Sequence, residues 1–308
     1  MKKTTEKLPE ISWVNVFTSS IPGVSHNTYF SDSMQREIGY AVYVPPGYDF
    51  KPSPAAAVKL QERYPVTYWL HGKGGDESMG FDIKLFNFFH KAVTEGKIRP
   101  ALLVCPNCGS FSMFCDSYDK TIMGETILIK ELIPLIDATY MTIAGRSGRA
   151  IEGFSMGGFG AIKSAFKFPE MFSSVVTYGA SLHDLDSVSS GRPEVFERMF
   201  GARNDYFQQN SPYILAQKNA TFIRKNLKLK FINGTLDFTL QNNLKLNSHL
   251  DKLGINYDFK LLDGYKHIPI PYYETEGLNG FIFHSQNFGP VHSKKGLIGN
   301  INLYNNHS

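Results

Sequence analysis

Short apolar runs alternate along this chain with stretches whose apolar residues recur at helical spacing. That pattern leaves one economical fold, parallel strands side by side with each return crossing made by a helix. Residues 64–70 (YPVTYWL) end at His-Gly and residues 101–105 (ALLVC) end at Pro-Asn. Both lack polar alternation, as expected of strands covered on both faces. Between them MGFDIKLFNFFHKAVTEGKI has the apolar spacing of a crossover helix and stops at a Gly-Lys pair. Residues 122–140 (IMGETILIKELIPLIDATY) predict a second helix with Glu125 and Glu131 on its polar side. RAIEGF, SMGGFGAIKSAFKFP and SSVVTYGA continue as strand, helix and strand. LKLKFINGTLD, LQNNLKLNSHLDKLG and INYDFKLLDG repeat the series nearer the C-terminus. Ahead of all of these, residues 25–46 alternate polar and apolar on either side of SDSMQ, the mark of an antiparallel hairpin. The expected fold class is α/β, a mostly parallel sheet with helices on both faces.

At 308 residues the chain can bury one full core. The expected organisation is a single domain over residues 1–276, with a looser insertion over about 182–224 above the sheet. Residues 277–308, rich in Gly and Asn, form an extension with no predicted structure. A 42% hydrophobic and 19% charged composition excludes disorder for most of the chain. The net charge of +4 is scattered, so no nucleic-acid arm or polybasic membrane patch is expected. No apolar run is long enough to span a bilayer, and MKKTTEKLPEISW lacks the apolar region of an export signal. Taken as it stands, the chain is expected in the cytoplasm. Cys105, Cys108 and Cys115 are an odd, clustered set, which suits a reducing compartment better than a disulfide framework. They come with no second CxxC and no histidine at ligand spacing, so a zinc site is not expected.

The chemistry centres on Gly153-Phe154-Ser155-Met156-Gly157, followed by Gly158. A Gly-rich βα turn could meet this pattern by chance in a chain with 27 glycines. Its setting, with an apolar strand before it and a helix after it, is that of a strained elbow holding a serine hydroxyl out of the backbone. Such a hydroxyl attacks only when a base takes its proton. Among the histidines after Ser155, His267 alone follows a late strand by a few loop residues, at the carboxyl edge where open α/β sheets bind ligands. His183 also follows a strand and stands in reserve. Asp237 closes FINGTLD directly after a strand, thirty positions before His267, and is the expected acid that orients the ring. The order serine, acid, histidine is the one this architecture uses. Oxyanion donors are expected from the Met156 N–H and, in His71-Gly72-Lys73-Gly74-Gly75, from the Lys73 N–H. His71 is expected to be structural.

With these residues the chain resembles the esterase family of α/β-hydrolases that includes feruloyl esterases, S-formylglutathione hydrolase and mycolyltransferases. The likeness runs from about Val24 to Tyr273, and its best segments are GYAVYVPPGYD, YPVTYWLHGKGGDE, LIPLIDATYMTIAGRSGRAIEGFSMGGFGAIKSAFKFPEMF, NGTLDFTLQNN and DGYKHIPIPYYE. The bacterial feruloyl-esterase branch is the nearest in flavour. The resemblance implies an α/β-hydrolase fold and a triad of Ser155, Asp237 and His267. It further implies hydrolysis of a small-molecule or saccharide-linked ester, such as a feruloyl or acetyl sugar, with no cofactor. Ile-Pro after His267 departs from relatives that carry a bulkier group there. The rivals are a same-fold acyltransferase or thioesterase and a non-catalytic binding protein.

Overall fold

The computed structural model describes residues 10–49 and 63–290. Eight strands form one sheet: β1 (Val24–Ser31), β2 (Arg36–Tyr43), β3 (Val66–Leu70), β4 (Leu102–Pro106), β5 (Arg149–Phe154), β6 (Ser174–Tyr178), β7 (Lys228–Gly234) and β8 (Asp258–Leu262). Their spatial order is β1-β2-β4-β3-β5-β6-β7-β8. β1 and β2 form the expected antiparallel hairpin, and β2 also lies antiparallel to β4. From β4 through β3 to β8 every pairing is parallel. This is the α/β-hydrolase architecture.

Successive residues of a strand point to opposite faces, so a strand covered on both sides must be apolar throughout. β3 does this: Val66, Tyr68 and Leu70 join one core with Leu132, Phe159 and Ile162, while Trp69 joins the other with Phe86, Phe89 and Phe281. The helices Met156–Lys167 and Leu85–Thr94 lie on those opposite faces. All the parallel strands end at one edge, where the loops after β3, β5, β7 and β8 converge.

Three features depart from the sequence expectation. The helix over 122–140 forms as joined pieces, with a wider turn at Ile127–Leu132 directly before Pro134, whose missing N–H interrupts the regular ladder. Glu125 is not on a solvated face. It is buried, and its carboxylate lies 2.9 Å from both Lys163, which is fully buried, and Lys167. Glu131 is also engaged, accepting from the Ser31 hydroxyl at 2.6 Å and the Ser33 N–H at 2.8 Å. Second, Pro212–Asn226 is a crossover helix, kinked at Asn219, packed on Met156–Lys167, so the insertion above the sheet is the shorter helical stretch before it. Third, the chain does not leave the domain at 277. Leu278–Asn287 is a helix against β6 and Leu85–Thr94. Its buried face is Gly280, Phe281 and His284, and a side chain on Gly280 would collide with the Tyr178 hydroxyl. A face with a single large apolar side chain, Phe281, set between glycine and histidine carries no apolar period. The rest of the predicted extension, residues 291–308, lies outside the described residues. Among those described, no helix is long and apolar enough to cross a membrane.

The Glu125 cluster carries a stability prediction. Burial alone would raise its pKa, yet the Lys163 and Lys167 charges outweigh this and hold it at about 2, below its ordinary 4.5. A carboxyl depressed on folding stabilises above its unfolded value and loses that contribution as pH falls through the folded one. Glu125→Gln is expected to cost about 3–5 kcal/mol near neutral pH, because it strands the Lys163 ammonium in the core. In urea titrations the gap between wild type and variant should narrow as pH drops from 4.5 toward 2.

Candidate active site

Ser155 lies between β5 and the helix Met156–Lys167 with φ +56° and ψ −115°, a conformation that L-residues rarely adopt. The glycines around it make the turn sterically possible. A Cβ on Gly157 would sit 1.9 Å from the Leu70 carbonyl oxygen, and one on Gly153 would sit 2.5 Å from the backbone of Gly157. The elbow is tied down by the Ser155 N–H donating to the Tyr178 carbonyl at 3.0 Å and by the Ser155 carbonyl accepting from the Ser181 N–H at 2.9 Å.

His267 comes from the loop after β8. Its Nε2 is 2.8 Å from Ser155 Oγ, and its Nδ1 is 2.9 Å from both carboxylate oxygens of Asp237, in the loop after β7. The three residues that the sequence separates by 112 positions thus form one hydrogen-bonded chain. His183 is not part of it; its Nε2 meets the Ser181 hydroxyl at 2.9 Å. His249 contacts the Tyr213 carbonyl and His284 the Ser174 hydroxyl, while Asp251 and Asp258 are exposed.

Asp237 is buried, which opposes its charge. Hydrogen bonds from His267, from the N–H and hydroxyl of Thr239 and from the Tyr272 hydroxyl outweigh this and hold its carboxyl below the ordinary value. The imidazole is clamped between Phe154 and Phe238, with ring centres 4.6 and 4.3 Å away. Gly179, with φ +49°, leaves the space the pair needs, because a Cβ there would sit 2.6 Å from Asp237 Oδ2. Sequence reasoning missed Thr239, Tyr272, Phe238 and Gly179. Asp-x-Thr is a visible turn signal, but nothing in PYYE says which tyrosine turns inward. Because the Tyr272 hydroxyl also accepts from the Gly234 N–H at 2.6 Å, it fixes the acid to the strand end. Tyr272→Phe is expected to lower kcat/KM about tenfold, the worth of one hydrogen bond to a carboxylate. Steady-state kinetics on any hydrolysed ester would show it.

Met156 is the first residue of its helix, so its N–H has no intrahelical acceptor. The Lys73 N–H has no acceptor among the described residues, whereas its neighbours Gly74 and Gly75 donate to Ser110 and Gly72. Ser155, Met156 and Lys73 line one small cavity of about 30 Å³ with Met113 and Val195. His71 is buried against Phe114, and its Nδ1 lies 3.0 Å from the Gly72 carbonyl. Burial lowers its pKa, so the ring is neutral. Cys105, Cys108 and Cys115 are buried free thiols, and burial pushes Cys115 up to about 11. Among the described residues no group of three His, Cys, Asp or Glu is placed to hold a metal ion.

Residues 31–263 match the family described as "Putative esterase". The chain is 37% identical over 119 residues to an esterase of Mycobacterium tuberculosis (strain H37Rv), covering 37% of this chain and 25% of that protein. It is 34% identical over 155 residues to an endo-1,4-beta-xylanase/feruloyl esterase of Xylanibacter ruminicola, covering 47% of this chain and 20% of that protein. The chain therefore spans about a quarter or less of these relatives' length. A solved structure named ferulic acid esterase superposes with a TM-score of 0.70 at 22% identity, covering 86% of this chain and 98% of the other.

Proposed function

The chain belongs to the "Putative esterase" family of α/β-hydrolases, and from that premise we propose that it hydrolyses a carboxylic ester with Ser155 as nucleophile, His267 as general base and Asp237 as the acid that orients the ring. The observation that carries this reading is the unbroken chain from Ser155 Oγ through His267 to Asp237, with both links under 3 Å.

Ser155 Oγ bonds to the ester carbonyl carbon as its proton passes to His267 Nε2, and Asp237 stabilises the resulting imidazolium. The carbonyl oxygen becomes an oxyanion facing the Met156 and Lys73 N–H groups. The bond to the alcohol oxygen then breaks, and His267 returns its proton to that oxygen. Water repeats the sequence on the acyl-enzyme, releasing the acid and regenerating Ser155. This chemistry requires no cofactor.

The cavity of about 30 Å³ beside Ser155 favours a short acyl group over an aromatic one. A panel of acetyl, butyryl and feruloyl esters tests both parts of the proposal. Acetyl esters are expected to be cleaved best, and acid-quenched enzyme is expected to carry an acetyl mass on the Ser155 peptide. Inertness toward the whole panel would overturn the hydrolase reading; a feruloyl preference would overturn only the acyl assignment. We place the reaction in a reducing compartment, which the three free thiols support.

A further inference from the structure

The Phe238 ring that packs on His267 also walls a second, larger cavity of about 290 Å³. Its position decides which half of an ester it can hold. In acyl transfer the imidazolium hands its proton to the departing oxygen, so the alcohol part must lie on the histidine's side of the carbonyl. The small cavity contains the oxyanion donors, whereas the large one reaches the histidine's side of the site through Phe238, the ring packed on His267. Given the hydrolase reading on which this rests, the large cavity is the alcohol subsite.

Its lining is mixed, with several polar side chains and one cation that has no acid partner among the described residues. Ser187, Ser190 and Asn242 contribute hydroxyl and amide groups. Arg192 borders both cavities, its guanidinium carbon 5.8 Å from the centre of the Phe238 ring. It has no carboxylate partner among the described residues. The acids close by are engaged elsewhere, Glu194 with Lys73 at 3.7 Å and Asp184 with Lys245 and the Ser187 N–H. A half-buried guanidinium with no counter-charge among the described residues, held beside a cavity that also offers hydrogen-bonding side chains, is a ready anion partner.

His183 supplies an independent second observation. It is only 8% exposed, lines both cavities and leaves its Nδ1 without a partner, its Nε2 being used by Ser181. Burial first, then the Arg192 charge, pushes its pKa down to about 4, so it offers a directional hydrogen bond rather than a second charge. A buried polar atom without a partner is costly unless something satisfies it.

We infer that this cavity selects esters whose alcohol part carries a carboxylate, with Arg192 as the ionic partner and His183 as the neutral hydrogen-bonding one. A matched pair of probes isolates the charge: 4-acetoxybenzoate and its methyl ester, each rate divided by its hydroxide-catalysed rate. The wild-type enzyme is expected to favour the anion at least tenfold in kcat/KM, about what one charge-assisted hydrogen bond supplies. Arg192→Met should bring that ratio near one, and Arg192→Lys should keep part of it. On wild type alone, 4-hydroxybenzoate should inhibit at least about tenfold more tightly than methyl 4-hydroxybenzoate. Equal normalised rates in wild type, or a preference that survives Arg192→Met, would sink the anion subsite while leaving the esterase reading intact. Hydrolysis of neither probe would sink both.

Discussion

Ser155→Ala is expected to lower kcat for a short-chain p-nitrophenyl ester by roughly 10⁴–10⁶-fold and to abolish the initial burst of p-nitrophenol. The Met156 and Lys73 N–H groups would still polarise a carbonyl, so a small residual rate above background is consistent with the mechanism. Retention of a tenth of wild-type activity is not, since nothing else in the small cavity has an oxygen within 2.8 Å of the His267 base. The elbow strain adds a stability readout that separates the backbone from the chemistry. Alanine keeps a Cβ at φ +56°, whereas Ser155→Gly removes it, relieving a strain of about 1–3 kcal/mol. Glycine's greater freedom in the unfolded chain costs about 0.5–1 kcal/mol of that. The glycine variant should therefore be as inactive as the alanine variant yet more stable by about 1 kcal/mol, measurable by urea denaturation.

The elbow was readable because the hydrophobic period changes from strand to helix at Ser155, and only a glycine-flanked serine survives that turn. The parallel sheet was readable for a related reason: strands covered on both faces must be apolar throughout, as β3 is. Asp237 and His267 could be singled out by topology, because strand ends of an open sheet converge on one edge. What failed to show were contacts between elements. Glu125 scans as a surface residue on its own helix, and only the packing of Met156–Lys167 brings Lys163 and Lys167 to it. The helix Leu278–Asn287 buries glycine and histidine where a periodicity argument looks for leucine. Arg192 sits in a stretch whose local pattern is irregular, and its significance lies in having no acid opposite it among the described residues, a property of three-dimensional surroundings.

The second large effect belongs to Asp237. Both of its oxygens face donors: Oδ1 accepts from the N–H and hydroxyl of Thr239, Oδ2 from the Tyr272 hydroxyl, and the His267 ring reaches both. An asparagine at 237 must place its NH₂ on one side. On the Oδ1 side it would oppose the Thr239 N–H, which cannot turn round to accept. The NH₂ therefore takes the Oδ2 side, where a hydroxyl can rotate. There it faces His267 Nδ1 as a donor and favours the tautomer with the proton on Nε2. A ring protonated on Nε2 cannot take the Ser155 proton, so Asp237→Asn is expected to lose about 10⁴-fold in kcat although it is nearly isosteric. Asp237→Glu, which keeps the charge but lengthens the arm in a buried site, should lose activity through displacement of the ring instead. Imidazole proton resonances distinguish the two: a shift of the proton from Nδ1 to Nε2 in Asp237→Asn, and no tautomer change in Asp237→Glu. An asparagine variant within tenfold of wild type would mean that His267 takes its orientation from the Phe154 and Phe238 rings alone, and the acid would then have no part in the reaction.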